Sequence, residues 1–399
     1  MIVKPMIRSM ICMNAHPVGC ETLLADWARR SEARGPAIKA AAAAAEKKLP
    51  KAVLVLGCST GYGLASRASA AFGAGAATVG VSLEREPSEK KPGSPGWYNN
   101  RAFDREAAAR GLFARTLNMD AFSDEARAAV VKIAKDSGFL FDQVIYSLAS
   151  PVRTDPKTGV MHKSALKPLG KPFSGVSVDA FSGEIKTVSI EPASEEDAAE
   201  TVKVMGGEDW ALWIDALAEA GVLAPGCVTL AYSYIGPEHS WPIYRDGTIG
   251  RAKEHLEGTV PKLNERLAGL GGAAYVSVNK ALVTRASAVI PVIPLYVAAL
   301  FKTMKEKGLH EDCLDQMLRL YEGRLLAPGK PELDAEGRIR LDDWEMRPEI
   351  QEETTRRMKE ALGGKLEEAT DMAGFRLDFL QAHGFEVPGV DYDADVSYL

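Results

Sequence analysis

The sequence predicts a doubly wound α/β fold around a mostly parallel sheet. Six apolar runs rich in branched residues carry that prediction: AVLVLG (52–57), ATVGVSL (77–83), FARTLNM (113–119), QVIYSLA (143–149), CVTLAYSYI (227–235) and AAYVSV (273–278). Each is followed by a helical pattern. Strands covered on both faces read as such near-continuous apolar runs, and the helices between them supply the crossovers. The second observation is a glycine turn between the first run and the first helix, VLVLGCSTGYGLASRASAAFG, in the position where a Rossmann-type sheet holds a dinucleotide.

Taken in order, residues 1–50 form an N-terminal extension ending in AIKAAAAAAEKKLP, a strong helix former stopped by Pro50. Residues 51–290 form the dinucleotide-binding core. It is interrupted by an insertion at 150–226, in which SGVSVDAFSGEIKTVSIEP predicts a hairpin turning at FSG, followed by two helical stretches. An insertion of that length lines or covers a site. Residues 291–399 form a helical region on the substrate side. There PLYVAALFKTMKEKG and EDCLDQMLRLYEGRL predict two amphipathic helices, and two more precede the terminal PGVDYDADVSYL. The 399 residues read as one enlarged domain without an internal repeat.

Lysine and arginine number 48 against 54 acidic residues, a net charge of −6, which argues against general nucleic-acid binding. Five cysteines without a CxxC pair suit a reducing cytosol and the role of small buried apolar residues. The six histidines are isolated, so no metal site is expected. The first twenty residues lack a signal-peptide layout and no run of about 18 apolar residues occurs, so the predicted location is the cytoplasm, away from membranes.

The glycine turn has the spacing GxxxGxG, with Gly57, Gly61 and Gly63. Such a turn lets backbone N–H groups approach a pyrophosphate, which the positive end of the next helix stabilises. Glu84, some 20 residues on at the end of the second strand, is placed to accept hydrogen bonds from the adenosine ribose and so to select NADH. Arg85 beside it leaves room for NADPH. Asp120 and Ala121 follow the third strand as a candidate adenine contact, and Leu148 and Ala149 follow the fourth. All lie at carboxyl ends of strands, where open α/β sheets bind ligands.

The stretch PIYRDGTIGRAKEHL carries a tyrosine and a lysine, Tyr244 and Lys253. On one continuous helix positions nine apart differ by roughly 900° and face opposite ways. The pair can serve one site only if Tyr244 sits on a loop, RDGT makes the turn, and the helix begins near Thr248 with Lys253 on its second turn. Pro261 then predicts that this helix kinks or ends early. A tyrosine hydroxyl, protonated at neutral pH, can donate to an oxyanion forming on a substrate, and a neighbouring lysine can hold a nicotinamide ribose.

With those residues in view, the chain resembles the FabV-type family of trans-2-enoyl-acyl carrier protein/CoA reductases. The matching stretches include KPMIRSMICMNAHPVGC, GCSTGYGLASR, PGSPGWYNNRAFD, MDAFSDE, QVIYSLASPVRTDPKTG, VMGGEDWALWIDAL, ALVTRASAVIPVIPLY, MKEKGLHE and GVDYDADV, in order along almost the whole chain. The eight residues between Tyr244 and Lys253 are themselves a mark of that family. The resemblance implies that Tyr244 is the catalytic tyrosine, Lys253 a cofactor contact and Tyr234 a substrate contact. It implies NADH binding by Gly57, Cys58, Ser59, Thr60, Gly61, Tyr62, Leu83, Glu84, Asp120, Ala121, Leu148, Ala149, Leu282, Val283 and Thr284. Thr284 would bond either the nicotinamide carboxamide or the pyrophosphate. A monomer is also implied.

The expected reaction is hydride transfer from NADH to C3 of a trans-2-enoyl thioester, carried on acyl carrier protein or coenzyme A. Tyr244 stabilises the enolate, and protonation at C2 completes the saturated chain. Orientation and oxyanion stabilisation would do most of the catalysis. The apolar helices after Pro291 are candidates for the acyl-chain wall as well as for ordinary core. EKKPG and MKEKG are solvated basic faces or docks for an acidic carrier protein. The alternatives are a 3-oxoacyl-thioester reductase of the same architecture and a non-catalytic NADH sensor. EHS (238–240) does not read as a hydrolytic triad, nor DYDAD as a calcium loop.

Overall fold

The computed structural model describes all residues except 9, 289 and 291, so the Pro291 named above lies outside the described residues. Its frame is a seven-stranded parallel sheet: β1 (Ala52–Leu56), β2 (Ala77–Ser82), β3 (Ala114–Asn118), β4 (Phe141–Tyr146), β5 (Leu223–Ser233), β6 (Ala273–Val278) and β7 (Ile339–Arg340), in the spatial order β3-β2-β1-β4-β5-β6-β7. Six of the seven are the runs legible in the sequence. The seventh is two residues long, too short to show a period, and it exists because Ser277 and Val278 pair with it.

Helices α1 (Pro17–Ala44), α2 (Gly61–Ala68), α3 (Pro95–Ala109), α4 (Asp124–Ser137), α5 (Glu195–Met205), α6 (Glu208–Glu219), α7 (Thr248–Leu267), α8 (Ile293–Glu306), α9 (Cys313–Leu320), α10 (Pro348–Glu360), α11 (Leu366–Ala369) and α12 (Met372–Gln381) cover the sheet. Every residue of β1 is buried, and its side chains alternate between two cores. Val53 and Val55 pack with Ile145, Leu230 and apolar residues of α1, α2, α3, α8 and α9; Leu54 and Leu56 pack with Val144, Tyr146 and residues of α4, α6 and α7. This two-sided burial is why the strands read as unbroken apolar runs.

The insertion contains the expected hairpin, Phe173–Val178 against Ile185–Ile190, closed where Asp179 accepts the N–H groups of Phe181 and Ser182. A shorter ribbon, Val152–Thr154 against Met161–Lys163, precedes it. Helices α5 and α6 follow as expected.

Three expectations need correction. Helix α1 begins at Pro17, well before the alanine-rich stretch, and runs through Pro36; it stops at Ala44, with Glu46 at φ 55°, rather than at Pro50. Pro261 does not end α7, which continues to Leu267. A proline inside a helix costs ~3 kcal/mol, and burial of Leu263 and Leu267 beyond it returns ~1.5–3 kcal/mol each, which outweighs the lost bond. Helix α8 is not amphipathic: Ile293–Phe301 are all buried, so it is a core helix wrapped by α10 and α12.

The strand order reverses between β1 and β4, and the glycine turn sits there. Gly57 has φ 82°, and a Cβ on it would lie 2.3 Å from the Ser147 carbonyl oxygen, where the chain leaves β4. A Cβ on Gly63 would lie 1.9 Å from the Gly57 carbonyl oxygen, so α2 closes on the turn only because position 63 has no side chain. Gly63→Ala should destabilise the protein by ~1–3 kcal/mol, as overpacking does, read as a lower urea midpoint; an unchanged midpoint would mean the turn gives way freely.

Candidate active site

Tyr244 lies in a turn between β5 and α7, as the spacing to Lys253 requires. The Gly236 carbonyl accepts the Trp241 indole N–H (2.9 Å), the Arg245 guanidinium lies 4.1 Å above the Trp241 ring, and Ile243 is buried. The Tyr244 N–H donates to the Ser240 carbonyl (3.0 Å), and the Tyr244 carbonyl accepts the N–H of Gly250 (2.8 Å), inside the first turn of α7. The insertion clamps that helix start: the Thr248 N–H donates to the Lys167 carbonyl (3.0 Å) and the Thr248 hydroxyl to the Ala165 carbonyl. An open cavity of about 600 Å³ lies between this strap and the turn, lined by Leu169, Lys171, Phe173, Pro242 and Asp246 among others.

The Tyr244 ring packs edge-on against Tyr234, with centroids 5.2 Å apart and planes at 75°. Burial pushes the Tyr244 phenol up to about 12, so it carries its proton throughout the neutral range. Lys253 donates to the carbonyl of Tyr232 on β5 (3.0 Å), two residues before Tyr234, which follows the end of that strand. Burial pulls its ammonium down to about 8, with Glu257 acting in the opposite direction. A protonated phenol and a buried ammonium therefore both lie about the carboxyl end of β5, one packed on Tyr234 and the other on the Tyr232 carbonyl.

Under Tyr234 lies a group the sequence reading missed. Glu345, buried in the segment after β7, accepts the Tyr296 hydroxyl (2.6 Å), the Ala281 N–H (2.7 Å) and, more weakly, the Tyr234 hydroxyl (3.4 Å). Nothing in the local sequence LDDWEM marks it, because its partners come from the loop after β5, from α8 and from the loop after β6.

The cofactor candidates gather around the glycine turn. Helix α2 begins at Gly61 with no side chain capping it, which leaves its positive end available to a pyrophosphate. The Cys58 thiol and Tyr62 phenol point into the fold, to Ser82 and Asn100 (3.7 and 3.6 Å) and to the Lys280 carbonyl (2.6 Å), so these two residues offer backbone to a ligand. The loop after β6 crosses the turn: Thr284 Cγ2 lies 3.5 Å from where a Cβ on Gly61 would be, behind buried Leu282 and Val283. Leu148 is half-buried beside Gly57, and Ala149 is exposed.

Glu84 is the most constrained of the set. Its carboxylate accepts the Ser59 hydroxyl (2.6 Å) and the Ser94 hydroxyl (2.5 Å) and pairs with Arg285 (3.3 Å), while its side chain is 8% exposed. Leu83 beside it is 68% exposed, an apolar face with no partner in the core. Asp120 accepts the Phe122 N–H (2.9 Å), and the Ala121 carbonyl accepts the Trp213 indole (2.9 Å), so both hold the turn into α4. Ser59, Ser94 and Arg285 could not be assigned to Glu84 from sequence, since they come from three separate loops.

The geometry has clear relatives. A family model described as the trans-2-enoyl-CoA reductase catalytic region matches residues 91–326. The chain belongs to the trans-2-enoyl-CoA reductase family. Two further models match residues 2–89, described as the NAD(P)H binding domain of trans-2-enoyl-CoA reductase, and residues 333–396, described as an enoyl reductase FAD binding domain. A trans-2-enoyl-CoA reductase [NADH] from Treponema denticola is 57% identical over 99% of this chain and 98% of its own. An enoyl-[acyl-carrier-protein] reductase [NADH] from Flavobacterium johnsoniae is 52% identical over 100% of this chain and 98% of its own. The crystal structure of the Treponema denticola trans-2-enoyl-CoA reductase in complex with NAD superposes with a TM-score of 0.95 at 57% identity, covering 99% of this chain and 98% of that one.

For this family member the glycine turn, the uncapped start of α2 and the clamped Glu84 fit a dinucleotide. Residues 333–396 supply β7, α10, α11 and α12 and bring Glu345 to the tyrosines; their described residues hold no strand–glycine turn–helix unit, so they do not fit a flavin dinucleotide.

Lys253 carries a sign-definite consequence. A lysine lowered from 10.5 to about 8 in the fold costs stability below pH 8, and that cost disappears as pH rises to 10.5, where the unfolded chain also loses the proton. Lys253→Met should therefore melt higher than the parent at pH 7, with the gap closing between pH 8 and 10.5 in thermal scans. A gap independent of pH would show that the ammonium is not the source.

Proposed function

We infer that this chain reduces the trans-2 double bond of enoyl thioesters of coenzyme A or acyl carrier protein with NADH, and that Tyr244 and Lys253 carry the reaction. The observation behind this reading is the junction at the end of β5. The Tyr244 ring rests 5.2 Å from Tyr234, just past β5, and Lys253 is anchored on the Tyr232 carbonyl near the end of that strand.

NADH, when bound, supplies the hydride that reaches C3 of the enoyl chain. The protein's part is to orient and to stabilise charge. Tyr244, protonated at neutral pH, donates to the thioester oxygen as it becomes an enolate oxygen, and Tyr234 contacts the same end of the substrate. Lys253 holds the ribose hydroxyls and adds positive charge nearby. Gly57 to Tyr62 and the start of α2 take the pyrophosphate, Glu84 the adenosine ribose, Asp120, Ala121, Leu148 and Ala149 the adenine side, and Leu282 to Thr284 close over the turn. Buried α8 forms the inner wall for the acyl chain. The same reading takes the enzyme as a cytoplasmic monomer with a single enlarged domain.

Tyr244→Phe should keep NADH affinity by fluorescence titration while turnover of crotonyl-CoA drops ~10²–10³-fold, the usual loss for one oxyanion donor. Near-parental turnover would end this assignment, and oxidation of NADH by a 3-oxoacyl thioester but not by crotonyl-CoA would redirect it to carbonyl reduction.

Cofactor choice can be tested one step away from Glu84. A Cβ on Gly96 would lie 2.2 Å from Glu84 Oε1 and 2.7 Å from Ser59 Cβ, so Gly96→Ala must displace the carboxylate. Losing charge-assisted bonds worth ~1.5–3 kcal/mol should raise KM for NADH at least ~10-fold and move the NADPH to NADH preference toward NADPH. Steady-state kinetics with both cofactors would read this; an unchanged ratio excludes Glu84 from ribose recognition.

A further inference from the structure

We propose that Glu345 is a positioning residue that sets which way the Tyr234 hydroxyl points, and that its protonation turns that hydroxyl toward the substrate. The proposal rests on the reading that places Tyr234 at the thioester.

Both phenols, Tyr234 and Tyr296, aim at one oxygen, Glu345 Oε1, at 3.4 and 2.6 Å, and the other oxygen takes the Ala281 N–H at 2.7 Å. Tyr296 is committed, because its oxygen also accepts the Gln351 amide at 3.0 Å and so its own proton goes to Glu345. Tyr234 is not committed. While Glu345 is ionised, it is acceptor-only and the Tyr234 proton points down at it. Once Glu345 carries a proton on Oε1, that proton is donated to the Tyr234 oxygen, and the Tyr234 O–H is released to the cleft where the Tyr244 ring stands. No proton leaves for the substrate in this step; the carboxyl gains one from solvent and the phenol rotates.

The surroundings set the range in which this happens. Glu345 faces Tyr234 just after β5, Lys280 after β6, Tyr296 on α8 and Asp342 on its own segment, while His239, in the turn before Tyr244, packs edge-on against Tyr296 with centroids 4.9 Å apart. Burial lifts the Glu345 carboxyl to about 7; Lys280, the Tyr296 hydroxyl and the Ala281 N–H oppose the rise, and Asp342 adds to it. Burial likewise brings Lys280, which donates to the Ala281 carbonyl (3.1 Å), down to about 8. A folded value above the ordinary 4.5 means that Glu345 is protonated below about pH 7 and ionised above it. Catalysis that needs the released Tyr234 donor must therefore weaken as pH rises through that value.

Glu345→Gln tests the idea with little change of shape. The Ala281 N–H orients the new side chain, taking its carbonyl and leaving its NH₂ to donate to Tyr234 at every pH. In the parent, kcat/KM for crotonyl-CoA at saturating NADH should fall ~2-fold or more between pH 5.5 and 7.5, below the Lys253 titration near 8, as one hydrogen bond of ~1 kcal/mol or more is lost in part over that range. In Glu345→Gln that limb should be absent, and in Glu345→Gln/Tyr234→Phe the profile should match that of Tyr234→Phe alone. If Glu345→Gln does not fold, Tyr234→Phe by itself should lack the limb, and infrared difference spectra of the parent should show a buried protonated carboxyl lost near pH 7. A parental limb retained in Glu345→Gln, or in Tyr234→Phe, overturns the proposal. Turnover by either variant leaves the reductase reading intact, which only the Tyr244 experiment addresses.

Discussion

The hydrogen bond from the Gly250 N–H to the Tyr244 carbonyl, 2.8 Å long, ties the turn that carries the phenol to the helix that carries Lys253. Without it, the residues between them would set two side chains at an arbitrary offset. With it, the offset is rigid, and the bond itself is held in place from outside. The strap at Ala165 to Lys167 grips Thr248, and the strap belongs to the long insertion between β4 and β5. The insertion thus acts on the site through backbone at the start of α7. Such a position is one a rigid scaffold can keep to within the tolerance that oxyanion stabilisation demands.

The second constraint is electrostatic. Lys253, Lys280 and Glu345 are drawn toward neutral values by burial, each in the direction that disfavours its charge. A protein selected for stability alone would put apolar groups there, since a buried ionisable group left without full solvation is costly. Their concentration around two tyrosines at the end of β5 is the pattern expected of a working site. Glu84 obeys the opposite logic. Three loops supply two hydroxyls and a guanidinium to its carboxylate, and Gly96 leaves the space that lets them meet.

Much of this was legible in the residues. The alternation of Val53 and Val55 with Leu54 and Leu56 forces burial on both faces, and so a parallel sheet with helices on each side. The turn at Tyr244 followed from helical geometry once Tyr244 and Lys253 were taken to serve one site, because they cannot share a face of one helix. Other features were hidden for identifiable reasons. Two residues of β7 carry no period. Pro261 reads as a break, although Leu263 and Leu267 beyond it are buried deeply enough to hold the helix. Helix α8 reads as amphipathic, yet α10 and α12, far along the chain, cover the side that would have met water.

By itself the sequence determined the periodic and the local: six of the seven strands, the glycine turn after the first of them, and the requirement for a bend between phenol and ammonium if both serve one site. These follow from side-chain pattern and backbone stereochemistry within a few residues, which any chain must satisfy wherever it packs. Only the tertiary structure decided that Glu345 sits beneath Tyr234, that Arg285 and Ser94 reach Glu84, and that Lys167 steadies α7. Those contacts join residues 10 to 201 positions apart, and a hydrogen bond depends on separation in space, on which separation along the chain is silent.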